Sequence, residues 1–136
     1  MLKALARCDP YQLLFPVGML HGMVGAGVWV SHAFFHTAYP SGEHAHHMFS
    51  GFLLSFAAGF LLTAVPKFTG SRSASPREMG FALGLSLLAL TMRSALFPLV
   101  MLVFIAVFAL RRFKTRAYEP PPHFLFLPIG ILLGIL

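Results

Sequence analysis

Apolar residues run through this chain in long blocks separated by short polar connections, and the blocks have the length of membrane spans rather than the stripes of amphipathic helices. The stretch from Glu43 to Gly70, EHAHHMFSGFLLSFAAGFLLTAVPKFTG, organises the rest. It carries no charge from Met48 to Val65, and with His47 and Pro66 it reaches the roughly 20 residues that a bilayer-crossing helix needs. Pro66, Lys67 and the Thr69-Gly70 turn close it. Ahead of it, Gln12 to Phe35 predicts a first span, joined through Thr37 to Glu43 by Tyr39-Pro40 and Ser41-Gly42. Behind it, Lys67 to Glu78 is polar, and a short third span is expected from Met79 to Thr91. Arg93-Ser94, with Pro98 soon after, marks a hairpin into a fourth span from Ala95 to Leu110. Arg111 to Arg116 stops that span, Pro120 to Pro122 stiffen the next connection, and a fifth apolar run begins at His123. The pattern predicts an all-α integral membrane protein: one transmembrane domain over residues 1–136, a polytopic helical bundle of four full transmembrane helices plus a truncated fifth.

Two helix faces are lined with small residues. Gly18, Gly22 and Gly25 follow one another along the first span, and Gly51, Ser55 and Gly59 recur every fourth residue along the second. Small residues at this spacing admit close helix approach, so the expected partners are the lipid bilayer and either further helices or a second copy of the chain.

Composition agrees with a membrane setting. Of 136 residues, 57% are hydrophobic and only 10% charged, where a soluble domain has about a quarter charged. The net charge of +6 would point to nucleic acid in a soluble protein. Here Lys3, Arg7, Lys67, Arg72, Arg77, Arg111, Arg112, Lys114 and Arg116 fall in connections on one side and Arg93 alone on the other, so the charge predicts topology and no nucleic-acid role. The N-terminus is expected in the cytoplasm and the connection from Thr37 to Glu43 in the periplasm. The single cysteine, Cys8, excludes an internal disulfide and any cysteine-based zinc or iron–sulfur centre within the chain.

Histidines carry the candidate chemistry. Six of the seven lie in the first two spans and their connection, at His21, His32, His36, His44, His46 and His47. Imidazole is the commonest side-chain metal ligand and also ligates haem iron. His21 falls near mid-membrane, where an ionisable residue faces the bundle interior, either as a ligand or hydrogen-bonded to a neighbouring helix. His32 and His36 read as interfacial anchors. If the next segment is helical, His44 and His47 share a face; if it is extended, His44 and His46 do. All three serve one ion only through an irregular turn. Met48 adds a soft thioether. Glu43 is a candidate acceptor for a ligand imidazole, and Arg93 a candidate for a haem propionate or another anion. No Ser/His/Asp arrangement, paired carboxylates or phosphate-binding glycine loop is present, so no catalytic cycle is read from the sequence.

The run HAHHMFSGFLLSFAAGFLLTAVPKFTG resembles the signature of the NnrS family, with His47 where the familiar form has Glu and Lys67-Phe68 where it has Asn-Trp. The later PPPHFLFLPIGILLG stretch is similar to a second family segment. The resemblance implies a polytopic bacterial inner-membrane protein that binds haem and copper, is tied to nitric oxide response or nitrosative-stress tolerance, and meets nitric oxide as a ligand. It implies too that these residues are the N-terminal portion of a longer architecture. Position 44 matches the first histidine of the family's HAHEM-like motif and position 46 the second. The resemblance supports His44 and His46 as ligands, and the residues' own chemistry adds the rest: the candidate metal ligands are His44, His46 and His47, and the candidate cofactor-binding residues are His21, His44, His46 and Arg93. A different class is also compatible: half of a metal-ion transporter, or a small b-type haem electron carrier.

Overall fold

The computed structural model describes residues 8–119 and 121–135; Lys3, Arg7, Pro120 and Leu136 lie outside them. The described residues form helices and connections without a strand: α1 (Pro10–Phe35), α2 (Ser41–Ala45), a π-helix (His46–Leu53), α3 (Leu54–Thr69), α4 (Pro76–Thr91), α5 (Leu96–Lys114), a 3₁₀ turn (Pro122–Leu125) and α6 (Phe126–Ile135). An all-helical membrane bundle is therefore what the chain forms. The number of spans differs from expectation. Among the described residues three helices are long and apolar enough to cross a membrane: Pro10–Phe35, the continuous Ser41–Thr69, and Leu96–Lys114. The expected third span is α4, whose 16 residues extend roughly 24 Å at 1.5 Å each, short of a hydrocarbon core of about 30 Å. The run after His123 forms the 10 residues of α6.

Local chemistry explains the ends. Pro10 opens α1 at a position where its missing N–H costs nothing, and Gln12 Oε1 accepts the Asp9 N–H at 3.0 Å. His36 ends α1 in the left-handed conformation, φ 50°, with its N–H bonded to the His32 carbonyl. The second span starts earlier and ends later than its apolar run. Ser41 begins the helix, and Pro66 sits inside its last turns, which continue to Thr69 before Gly70 caps them at φ 62°. Ser75 caps α4 reciprocally: its hydroxyl accepts the Glu78 N–H at 3.3 Å, while Glu78 accepts the Ser75 N–H at 2.7 Å.

The second span is the centre of the bundle, in contact with α1, α4 and α5. Leu54, Ala58, Leu62 and Val65 pack against Leu14, Ala82, Met101, Leu102, Ile105 and Phe108. The glycines of each small-residue face receive large side chains of the other span. A Cβ at Gly18 would press on Phe56 and one at Gly22 on Phe52, while one at Gly59 would reach Phe15 and Leu14 at 3.0–3.2 Å. Arg93, His46 and the α1–α2 connection gather at one end. At the other lie Asp9, Lys67 and Pro76, together with the pair between Arg112 and Glu78, 2.9 Å apart.

Candidate metal and cofactor site

The π-helix begins at His46, directly after the short α2. Its wider turn, common at functional sites, aims the three clustered histidines at different neighbours. His44 Nδ1 donates to the Gly25 carbonyl of α1 at 2.8 Å, and His46 Nε2 donates to the Ala89 carbonyl of α4 at 2.8 Å. His47 Nδ1 lies 3.1 Å from His21 Nδ1. An irregular turn, the condition for all three to serve one ion, is thus present, but it sends the histidines to different neighbours rather than pointing them at one ion.

These bonds determine where each ring keeps a lone pair. A carbonyl only accepts, so His44 carries its proton on Nδ1 and leaves Nε2 bare, whereas His46 carries it on Nε2 and leaves Nδ1 bare. His21 donates from Nε2 to the Ser86 carbonyl at 2.9 Å. In the neutral ring its Nδ1 must then accept, so the proton in the His21···His47 contact belongs to His47 Nδ1 and His47 Nε2 is bare. A backbone carbonyl that orients an imidazole through its N–H is the arrangement that prepares the other nitrogen for a metal.

His21 itself is fully enclosed, 0% exposed, with both nitrogens engaged. It would have to release Ser86 or His47 to ligate anything. Gly51 makes room for it: a Cβ at Gly51 would fall within the His21 ring. Ser86 is held in turn by the Ser55 hydroxyl, which donates to its Oγ at 3.0 Å. His21, Gly51, Ser55 and Ser86 form one buried polar knot with its bonds made.

Arg93 stands where the sequence placed it, on the histidine side. Its guanidinium rests on Gly42, at the rim of an open groove of about 520 Å³ lined by Ala45, His46, Phe49, Ser50 and Pro98. His32 and His36 do not share a role. His36 caps α1, whereas His32 donates from Nδ1 to the Thr37 carbonyl at 2.7 Å and sits beside Trp29. Sequence reasoning missed the contributions of Ser86, Ala89 and Trp29. Two of these act through backbone carbonyls, which no side-chain pattern announces.

Among the described residues no group of three or more His, Cys, Asp or Glu side chains is placed to hold a metal ion. Haem asks for less, since its iron takes only one or two axial side chains from the protein. The groove suits that demand, with apolar walls for a flat macrocycle, a bare imidazole nitrogen on His46 and a guanidinium at the rim. The family model described as NnrS protein matches residues 7–136. No curated protein and no solved structure matches the chain.

Proposed function

Since the chain belongs to the NnrS family, whose members are membrane proteins associated with the response to nitric oxide, we propose that it binds haem in the groove between the π-helix and the α4–α5 hairpin, and that this is how it takes part in nitrosative-stress tolerance. The observation that carries the reading is the tautomer of His46, which lines a groove together with Arg93 and whose Nε2–H is tied to Ala89 O, leaving Nδ1 without a proton. When bound, haem supplies an iron that takes nitric oxide. The protein's part is to present an oriented imidazole, to pair a propionate with Arg93, and to hold the site within reach of a small apolar gas that partitions into lipid.

His46→Ala is expected to lower haem affinity about 10-fold or more, read from the Soret band of the purified protein, while His36→Ala leaves it unchanged. Full haem content in His46→Ala would sink the assignment. A Soret band that moves on adding nitric oxide supports the nitric oxide role, and one that ignores it supports an electron carrier instead.

The reading places the histidine end in the periplasm and the basic end in the cytoplasm of the inner membrane, supported by the one-sided distribution of Lys and Arg. In a Cys8→Ser background, Ser41→Cys is expected to react with a membrane-impermeant thiol reagent in spheroplasts, and Ser73→Cys is not. Both positions are exposed, so reversed labelling would overturn the orientation.

A further inference from the structure

The basic end of the bundle holds a cavity remote from the histidines. Its volume is about 260 Å³, and three pieces of chain enclose it: Asp9 and Pro10 at the start of α1, Leu62 and Lys67 in the second half of α3, and Ser73 and Met79 on the way into α4. Leu62 and Met79 are buried and make an apolar floor, whereas Asp9, Lys67 and Ser73 are exposed at the mouth. Two unlike charges thus share one cavity. Among the described residues the ion pair is that of Arg112 with Glu78, so Asp9 and Lys67 do not neutralise each other. Ser73 is fixed through its carbonyl, which accepts from Arg112 Nη2 at 3.4 Å, and its hydroxyl makes no hydrogen bond among the described residues.

A carboxylate, an ammonium and a hydroxyl around an apolar floor, set where a spanning helix leaves the bilayer, complement a molecule that is zwitterionic at one end and apolar at the other. Membrane lipids are such molecules. Basic residues alone draw anionic lipids by charge; Asp9 cancels that draw and adds an acceptor that asks for N–H donors. A primary ammonium has three of these and a quaternary one has none. We propose that the cavity binds the headgroup of an aminophospholipid, with its phosphate on Lys67 and the Ser73 hydroxyl, its primary ammonium on Asp9, and its glycerol end against Leu62 and Met79. One bound lipid ties the start of α1 to α3 and to the α3–α4 connection, to which no hydrogen bond or ion pair joins it among the described residues. The site is independent of the haem reading, because it lies at the end of the bundle opposite His46 and Arg93.

Native mass spectrometry of the delipidated protein in non-ionic detergent tests this. Offered equal amounts of phosphatidylethanolamine, phosphatidylglycerol and phosphatidylcholine with the same acyl chains, each chain is expected to retain one phosphatidylethanolamine, preferred about 10-fold over either competitor. Lys67→Gln and Asp9→Asn are each expected to lower that retention about 10-fold. Both side chains are exposed, and asparagine starts a helix as well as aspartate does, so the fold is kept. Lys114→Gln, which removes an exposed cation outside the cavity, leaves retention intact. Phosphatidylethanolamine should also raise the unfolding midpoint of the wild type more than that of Asp9→Asn. Equal retention of the three lipids, or a loss in Lys114→Gln as large as in Lys67→Gln, would mean unselective attraction to the basic end and overturns the site. Preference for phosphatidylglycerol overturns the role of Asp9 and with it the proposal. Displacement of the lipid by an equal concentration of free phosphoethanolamine makes the ligand a soluble one and overturns the lipid assignment. Full retention in both Lys67→Gln and Asp9→Asn moves the lipid elsewhere on the bundle and overturns it as well.

Discussion

Gly51→Ala should destabilise the protein by about 3 kcal/mol, the upper end of what inserting a methyl group into a packed core costs. The position is extreme because the new carbon would fall within the ring of His21, which is buried completely and bonded at both nitrogens. The ring has nowhere to retreat without leaving the Ser86 carbonyl or His47, and a buried polar group left unpaired costs about 1–3 kcal/mol of its own. A lower unfolding midpoint in detergent checks the prediction, and a midpoint equal to wild type refutes the packing. The double variant His21→Ala, Gly51→Ala should be less unstable than its two single changes combined, because the first removes what the second collides with.

Arg112→Ala should be the next most damaging change. The guanidinium bonds Glu78 at 2.9 Å and 3.2 Å, reaches the Ser73 carbonyl, and lies 4.4 Å over the Phe108 ring. Its side chain is 11% exposed and that of Glu78 21%. Removing one partner of a fully buried pair costs about 3–5 kcal/mol; this pair keeps some water contact, so about 2 kcal/mol is expected. Arg112→Lys should rescue only part: the bonds to Glu78 and Ser73 all come from Nη2, which an ammonium can imitate, but the planar contact over the Phe108 ring is lost. The pair also sets an acid limit. Burial pushes the Glu78 carboxyl up, but the Ser75 N–H and hydroxyl and the Arg112 charge outweigh it and hold the carboxyl below its ordinary range. A carboxyl depressed in the folded state contributes stability above its unfolded pKa and loses it as pH falls through the folded value. Glu78→Gln should therefore flatten the acid side of the stability profile, and an unchanged acid limb would show that other groups set it.

What was legible in the sequence was whatever side-chain pattern alone determines. Apolar block length revealed the first and second spans, and the four-residue spacing of Gly51, Ser55 and Gly59 revealed a packing face now seen to receive His21, Ser86 and Phe15. The end of the third run at Thr91 and its shortness were legible too; it was overcounted as a full span because flanking residues were expected to make up the length, and α4 has only 16 residues. The division of His44, His46 and His47 among three partners was not legible either. It depends on a local change of helix type and on the carbonyls of Gly25 and Ala89, and every residue has a carbonyl. The pairing of His32 with Trp29 and Tyr39 was not legible, because it arises only when the chain turns back after His36.

A π turn is an α turn that has accommodated one additional residue. Deleting that additional residue would let the segment relax into ordinary α-helix while α2 and α3 keep their relative orientation, because the bulge had absorbed the extra turn of about 100°. Only the residues inside the bulge would be re-registered, so the bonds of His46 to Ala89 and of His47 to His21 would be disturbed while that of His44 to Gly25 is kept. The division of the histidines between α1 and α4 is thus tied to a single inserted unit of backbone, and a reading-length change of one codon would alter it with every imidazole still in the chain.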